Sequence, residues 1–426
     1  MVAPRTDDAW VLIKAGVLID GTGAPPRRRM AVLVRGQMIE SVTPLDAVQL
    51  PTDAPVEHID ALDQTVIPGL IDCHLHLGYS GHRSIQELEW PNSVEYTAMR
   101  AVGNAQLALS CGFTSGLDVG SRGQIGVAIK QAITQDGLPG PNLRVSGQIL
   151  SSTGGCVDLW PEWMEVAPHA RLGVSIDSVD DVRRVIRQQV KSGVDNIKVE
   201  ASGTGVHPLR PAIEATMSPL ELAAAVETAH FYGVSVAAHA ERTLGIKNAI
   251  RAGVDTVQHG TFLDDEVLEL LEQRPDSWLV FTTGVYDGII TIGPSMGYPS
   301  AARQRFVEAW PQIVANVRKA YDRGIPFAAG SDCGGLSHPH GRYARNVTLF
   351  VRECGLPVEH AIRAVTGFAA QAGWFDNTGT VEAARFADIV AVRGDLTKTV
   401  ELIEDQACIG LVMQRGRIAK QLALVG

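Results

Sequence analysis

Eight short apolar segments alternate with longer helical stretches through the middle of this chain. The apolar segments read VIPGLIDCHLHL, FTSGLDV, LRVSGQIL, VDNIKVEASG, VSVAAHA, DTVQHG, WLVFTTG and IPFAAGSD. Between several of them lie segments such as SPLELAAAVETAHFYG, whose apolar residues recur near helical spacing and which end at glycine. Eight units of a strand followed by a helix predict an α/β fold, a closed (β/α)8 TIM-like barrel.

The two chain ends have a different pattern. WVLIKAGVLID and AVLVRGQMIESV near the amino end, and FADIVAVRG and CIGLVMQRGRIAK near the carboxyl end, are short β-branched runs separated by turns. We expect both ends to build one small β-sandwich domain. Its parts would be residues 1–68 and 376–426, and the barrel would occupy residues 69–375.

Composition limits the class of protein. A chain of 426 residues that is 45% hydrophobic can bury the core of one barrel and an accessory module. The net charge of -10, with no basic cluster beyond residues 27–29, argues against a nucleic-acid partner. No signal-like segment or membrane-spanning apolar run is present, so we expect a cytoplasmic protein that binds no membrane. The six cysteines have no paired spacing, which predicts reduced packing residues.

Residues able to bind a metal stand at or near the ends of the strand-like segments. The carboxyl ends of barrel strands meet at one face, where barrels gather their chemistry. Two histidines two positions apart on a strand face the same side and can share one ion. A lone histidine in an apolar run is usually a packing residue, but a set spread in order over five of the eight segments is improbable by chance. The set is His74, His76, Lys198, His239, His259 and Asp332.

The residue types suit a divalent cation. Neutral imidazole nitrogens and carboxylate oxygens bind Zn²⁺ and similar ions, and such sites can leave a position open for water. Lys198 does not fit this chemistry as an ammonium, because two cations would repel it. Taken alone, it would be interpreted as a strand-end lysine that extends to solvent.

The motifs PGLIDCHLH, IKVEASG, AAHAE, VQHG and GSDCGG together resemble the amidohydrolase superfamily and its binuclear metal branch. Over nearly the whole chain the pattern is similar to the subgroup of ochratoxinase, Xaa-Pro dipeptidases and imidazolonepropionase-like amidohydrolases. The chain departs from that pattern at Glu200 and in the SGTGVHPLRPA loop. The resemblance implies a homo-oligomer with two zinc ions and with Lys198 carboxylated by CO2 as the bridging ligand. His74, His76 and Asp332 would hold one ion, and His239 and His259 the other.

The expected activity is hydrolysis of an amide C–N bond in a small molecule: a dipeptide, an N-acyl amino acid or a related carboxamide. The nucleophile would be a hydroxide shared by the two metals, with Asp332 acting as general base and then as general acid. Three alternatives stay open. They are a urea or carbamate hydrolase acting on phenylureas or thiocarbamates, a one-metal deaminase of heterocycles, and a metal-free oligomeric scaffold.

Substrate contacts are expected from the loops that follow the strands. An arginine or histidine there would hold a substrate carboxylate, although each such residue is equally compatible with a solvated loop position. Cys73 and Cys333 flank ligands, and strand alternation predicts that both thiols face away from the metals. The candidate substrate-binding residues are Tyr79, His82, His207, Arg210, Tyr286 and His340.

Overall fold

The computed structural model describes residues 9–84, 86–204 and 213–422. The strands are β1 (Trp10–Leu18), β2 (Arg27–Arg35), β3 (Met38–Pro44), β4 (Val56–Pro68), β5 (Leu70–Leu75), β6 (Phe113–Asp118), β7 (Asn142–Val145), β8 (Ile149–Ser151), β9 (Gly173–Ser175), β10 (Asn196–Glu200), β11 (Ser235–Ala240), β12 (Thr256–His259), β13 (Trp278–Phe281), β14 (Phe327–Ala329), β15 (Ile389–Arg393), β16 (Ile409–Gln414) and β17 (Arg417–Gln421).

The helices are α1 (Gln86–Glu89), α2 (Val94–Ser110), α3 (Ile125–Gln135), α4 (Val179–Ser192), α5 (Pro219–Phe231), α6 (Thr243–Ala252), α7 (Asp265–Gln273), α8 (Thr283–Thr291), α9 (Gly293–Met296), α10 (Ser300–Asp322), α11 (Arg345–Arg352), α12 (Val358–Ala364) and α13 (Gly367–Ala372). Two short 3-10 helices, Pro168–Ala170 and Val400–Ile403, complete the described elements. Within the described ranges, no helix combines the length and apolarity needed to cross a bilayer.

Parallel strands form the centre of the molecule. One sheet has the order β14-β13-β12-β11-β10-β8-β9, and a second has the order β5-β6-β7. Isolated parallel bridges connect the two sheets, from Leu75 to Cys333 and from Ser146 to Asn196. These bridges link β5 to the segment after β14 and the end of β7 to β10. The two parallel sheets are thereby connected to each other at two places, and the carboxyl ends of their strands share a face.

Each of the eight apolar segments contains a parallel strand, as the sequence predicts. The third segment, LRVSGQIL, differs in detail because it divides into β7 and β8. Ser146 N still donates to Asp118 O at 2.8 Å, but Ile149 N donates to Leu172 O at 2.9 Å. The chain therefore changes partners within this segment and pairs with the short strand β9, which the sequence pattern did not reveal.

The strands of both chain ends form one sheet. Its order is β17-β16-β15-β4-β1-β2-β3, so carboxyl-terminal β15 pairs antiparallel with amino-terminal β4. Strand β1 lies parallel to β4 and antiparallel to β2. Val11, Ile13 and Leu411 belong to a buried apolar cluster of this sheet. Hydrogen bonding makes these strands one continuous sheet.

Local signals position the helices between the parallel strands. Helix α5 begins at a capping box, in which the Ser218 side chain accepts from Glu221 N and the Glu221 side chain accepts from Ser218 N. Helix α4 ends at Gly193, whose φ of 92° is the left-handed conformation that glycine adopts easily. Apolar residues of these helices, including Ile186 and Leu222, are buried in the same large core as Ile197 and Val236 of the strands.

Candidate active site

All six residues proposed as metal ligands line one cavity of about 120 Å³ at the carboxyl ends of the parallel strands. They come from five different strand ends, beginning with β5 and finishing just after β14. Strand register brings neighbours together: Ala240 is paired with His259, and Glu200 with His239. The residues are His74, His76, Lys198, His239, His259 and Asp332.

His74, His76 and Asp332 form a compact group of possible metal ligands in the cavity. Nε2 of His74 lies 3.6 Å from Oδ1 of Asp332, and Nε2 of His76 lies 3.7 Å from the same oxygen. One ligand atom from each residue lies within 4.8 Å of the other two. This spacing allows three protein ligands to meet one cation, with room for a further ligand.

Hydrogen bonds at Nδ1 orient three of the histidines. His74 Nδ1 donates to Gln258 Oε1 at 2.7 Å, and His76 Nδ1 donates to Gly120 O at 3.1 Å. His259 Nδ1 lies 2.8 Å from Thr282 Oγ1. With Nδ1 engaged, Nε2 is the nitrogen left to bind a metal, an orientation common in protein metal sites.

Two buried nitrogens in the cavity lack a hydrogen-bond partner among the described residues. They are Nζ of Lys198, whose residue is 2% exposed, and Nε2 of His239. Burying an unpaired polar atom is costly, so such atoms are expected to have a ligand. The imidazole rings of His239 and His259 lie with centroids 4.5 Å apart, so these two histidines form a second close pair of possible ligands.

Burial keeps the histidines neutral. Desolvation, with a contribution from the Lys198 charge, lowers the pKa of His76 and of His239 to about 3. The pKa of His74 and that of His259 lie well below the usual value, again mainly because of burial. Neutral imidazole is the form that binds a metal.

Lys198 and Asp332 are both buried, and each perturbs the other. Desolvation lowers the pKa of Lys198, with the charge of Asp332 opposing that shift. Desolvation likewise raises the pKa of Asp332, with the charge of Lys198 opposing it. A lowered lysine pKa favours the neutral amine, which is the form that reacts with CO2.

The backbone is strained at two of the proposed ligands. His259 has a φ of 77° and Asp332 a φ of 55°, in the left-handed region that residues other than glycine seldom adopt. Such conformations cluster at functional sites, where the surrounding structure holds them. Near Asp332, a Cβ on Gly330 would lie 2.2 Å from Cβ of His74, so this close approach requires glycine.

Asp72 is a buried carboxylate that connects the backbone at His74 to the backbone just before Asp332. It accepts hydrogen bonds from Ser331 N at 2.8 Å and from His74 N at 3.0 Å. The Ser331 hydroxyl also donates to it. Burial raises the pKa of Asp72 to about 7, with these hydrogen bonds opposing the shift. Asp72 therefore positions the backbone on both sides of the cavity floor.

Apolar side chains from two separate clusters form two walls of the cavity. One wall consists of Tyr79, Ile149, Val157 and Leu172, which pack against one another. The other wall belongs to a second apolar cluster and consists of Val285, Tyr286, Ile289 and Leu336. A polar floor between apolar walls is typical of sites for small organic molecules.

The candidate substrate-binding residues lie in different places. Tyr79 and Tyr286 line the cavity, although Tyr286 lies in helix α8. His82 is not among the lining residues and contacts Ser80 Oγ at 3.1 Å. His340 is also absent from the lining: its Nε2 donates to His76 O at 3.2 Å, so it supports a proposed ligand from behind. His207 and Arg210 lie outside the described residues.

The cysteines beside the proposed ligands do not line the cavity. Cys73 donates to Ala369 O at 3.3 Å, and Cys333 donates to Pro339 O at 3.6 Å. Burial raises the pKa of both thiols well above the usual value. All six cysteines of the chain are free.

Sequence reasoning did not identify several polar residues of the site. Gln258 orients His74, and Glu241 lines the cavity with its Oε1 accepting from the Tyr286 hydroxyl at 3.3 Å. Both residues stand inside motifs already singled out, VQHG and AAHAE. Their polarity within otherwise apolar strand ends was the available signal.

Known proteins resemble this chain over nearly its whole length. Residues 65–419 match the model of the amidohydrolase family. Ochratoxinase of Aspergillus niger is 27% identical over 456 residues, which cover 99% of this chain and 89% of that protein. A Xaa-Pro dipeptidase with methionine bound in its active site has a TM-score of 0.85 at 28% identity, covering 96% of this chain and 99% of that chain. The A. niger ochratoxinase structure has a TM-score of 0.85 at 25% identity, covering 98% and 97%.

Proposed function

The chain belongs to the amidohydrolase family, in the subgroup of ochratoxinase and Xaa-Pro dipeptidase, and is a hydrolase acting on C–N bonds; from that premise we propose a metal-dependent hydrolase of small amides. Its substrates are dipeptides, N-acyl amino acids or related carboxamides. In this proposal the two connected parallel sheets form a closed (β/α)8 barrel of residues 69–375, and the terminal sheet is a separate domain.

One observation carries this proposal: all six residues proposed as metal ligands line one cavity. His74, His76 and Asp332 would hold one ion, because their ligand atoms lie within 4.8 Å of one another. His239 and His259 would hold the second ion. The unpartnered, buried Nζ of Lys198 fits a lysine that would be carboxylated and serve as a ligand, since that modification supplies two oxygens and removes the buried positive charge.

Two divalent ions, most simply zinc, would activate a water molecule and polarise the scissile carbonyl. The chain's own contribution is to hold and move the proton. Oδ1 of Asp332 faces the centre of the ligand group and accepts the proton of the attacking water. The same carboxyl then donates that proton to the leaving amine. The buried position of Asp332 keeps bulk water from competing for it.

The two apolar walls support an amide substrate with apolar groups. Tyr79 and Leu172 in one wall and Val285 and Leu336 in the other leave the polar lining residues as the place for the reacting carbonyl. The names of two relatives are consistent with this substrate class: one is a Xaa-Pro dipeptidase and the other is an ochratoxinase.

Elemental analysis of protein purified without chelators tests the proposal. We expect about two zinc-like ions per chain, and fewer in Lys198→Ala. Lys398→Ala is the matched control, because the Lys398 side chain is 75% exposed and is not among the residues that line the cavity. Release of free amine from N-acetyl-L-phenylalanine and from glycyl-L-proline then measures amide hydrolysis.

The other outcomes contradict the proposal in distinguishable ways. A single ion that is unaffected by Lys198→Ala, with release of ammonia from heterocycles, would indicate a one-metal deaminase. Absence of metal after incubation with zinc and bicarbonate would indicate a scaffold without this chemistry.

A further inference from the structure

Glu200 is a buried carboxylate at the cavity that the proposed chemistry does not use. It lies on β10 two positions after Lys198, so both side chains project from the same face of the strand. The residue is 0% exposed and contributes to the cavity lining. A carboxylate in such a position requires strong hydrogen-bond donors.

The donors to Glu200 come from one segment of the chain. Cys156 N donates to both carboxylate oxygens, at 2.8 Å to Oε1 and 2.9 Å to Oε2. The Ser151 hydroxyl donates to Oε2 at 2.5 Å. A Cβ on Gly155 would lie 2.8 Å from Glu200 Oε2 and 2.1 Å from Ser151 Oγ, so the backbone approaches the carboxylate as closely as only glycine permits.

The segment fixed by these bonds, residues 152–172, joins β8 to β9 and is called here the wall segment. It contains one turn of 3-10 helix and otherwise irregular backbone. Loops of this length in a compact domain are uncommon and usually functional. The wall segment contributes Cys156, Val157 and Leu172 to the cavity.

A second buried carboxylate holds the other end of the wall segment. Glu89, which is 1% exposed, accepts from Trp160 Nε1 at 2.6 Å and from Leu172 N. Arg122 Nε donates to Ala170 O at 2.8 Å. The wall segment is therefore fixed at both ends by charged side chains from other elements, and Glu200 holds the end beside Lys198.

We propose that the wall segment determines the size of substrate that the cavity accepts, and that Glu200 is the positioning residue that fixes it against the strand of Lys198. The substrate part of this inference rests on the proposed function. Glu200 acts through the backbone of Cys156 and touches no reacting atom. Its removal releases Val157 from its place on the apolar wall while the proposed ligands keep theirs.

The test compares Glu200→Ala with Glu200→Gln. In Glu200→Gln the amide oxygen accepts from Cys156 N and the amide nitrogen donates to the Ser151 hydroxyl, so the attachment survives without the charge. Glu200→Ala loses both contacts. Glu227→Ala is the matched control, because the Glu227 side chain is 73% exposed. Ser151→Ala removes one contact and provides a milder variant if Glu200→Ala does not fold.

Hydrogen–deuterium exchange across residues 152–172 is the first measurement, made on protein of known metal content. Amide exchange there should accelerate by about tenfold or more in Glu200→Ala, by less in Ser151→Ala, and little in Glu200→Gln. For an N-acyl amino acid that the parent protein hydrolyses, KM should rise about tenfold in Glu200→Ala with kcat changed by less than about threefold. Metal content should stay unchanged.

Equal loss of metal or of kcat in both Glu200 variants, without faster exchange, would overturn the proposal, since it would show that the charge of Glu200 serves the metal site. Unchanged exchange in both Glu200→Ala and Ser151→Ala would overturn it as well. Exchange needs neither metal nor substrate. Failure of the proposed hydrolase therefore leaves the positioning role of Glu200 separately measurable.

Discussion

Nε2 of His74 lies 3.6 Å from Oδ1 of Asp332, and Asp332 N donates a hydrogen bond of 2.6 Å to His74 O. Two independent contacts, one between side chains and one between backbones, thus join the end of β5 to the segment after β14. The backbone contact fixes how the carboxylate approaches the imidazole. Precision of this kind is what a shared metal ligand and proton acceptor need.

Asp332→Asn should retain most of the bound metal and lose turnover. The amide keeps one oxygen as a ligand but has little basicity, so it does not accept the proton of the attacking water. We expect kcat to fall by about 10²- to 10⁴-fold, the usual contribution of a general acid–base group. Steady-state kinetics and elemental analysis on the same sample check this. Near-normal turnover at full metal content would remove Asp332 from the proton transfer.

Metal-free protein should regain activity only when bicarbonate and zinc are supplied together. Burial lowers the pKa of Lys198 and favours the neutral amine, the form that would add CO2 and so give the carboxylated ligand proposed above. Activity after reconstitution with and without bicarbonate checks this. Lys198→Ala, which has no amine, should show no response to bicarbonate, whereas Lys398→Ala should respond like the parent protein.

The meeting of the six proposed ligands in one cavity could be predicted from sequence, because each of them lies at or near the end of an apolar strand and parallel strands bring those ends to one face. His74 and His76 required only the alternation of a strand. The contacts of the wall segment have no such periodic signature, since Glu200 binds the backbone of Cys156 and Glu89 binds Trp160 from a distant helix. Tyr286 was expected in a loop after β13, but helix α8 begins almost immediately after that strand. No glycine or proline lies between the two elements to mark the boundary in the sequence.

Gly330→Ala should displace His74 within the proposed ligand group of His74, His76 and Asp332 without unfolding the protein. The added Cβ would lie 2.2 Å from Cβ of His74 and 2.7 Å from His74 N, so His74 has to move. We expect roughly half the metal content of the parent protein and a fall in kcat of about tenfold or more, because a 1 Å displacement at a site is that costly. Metal analysis and kinetics provide the measurement.

Gly103→Ala is the control for that substitution. A Cβ at this position in helix α2 meets nothing within 4 Å. Alanine is the better helix former by about 1 kcal/mol, so the thermal midpoint should rise slightly with activity unchanged. If Gly330→Ala behaved like Gly103→Ala, the close packing of Gly330 against His74 would have no role in the site.

Gln258→Leu should weaken metal binding although Gln258 is not a proposed ligand. Its Oε1 accepts from His74 Nδ1 at 2.7 Å, and its Nε2 donates to Thr256 Oγ1 at 2.8 Å, so the amide itself is held in one orientation. Leucine has a similar size but no acceptor, and His74 loses the bond that turns Nε2 toward the cavity. Removing such a partner costs about 10- to 100-fold in metal affinity. Gln258→Glu keeps an acceptor for His74 Nδ1 and should retain most of that affinity. Competition with a calibrated zinc chelator measures both variants, and equal affinity in Gln258→Leu and the parent protein would show that His74 needs no orienting partner.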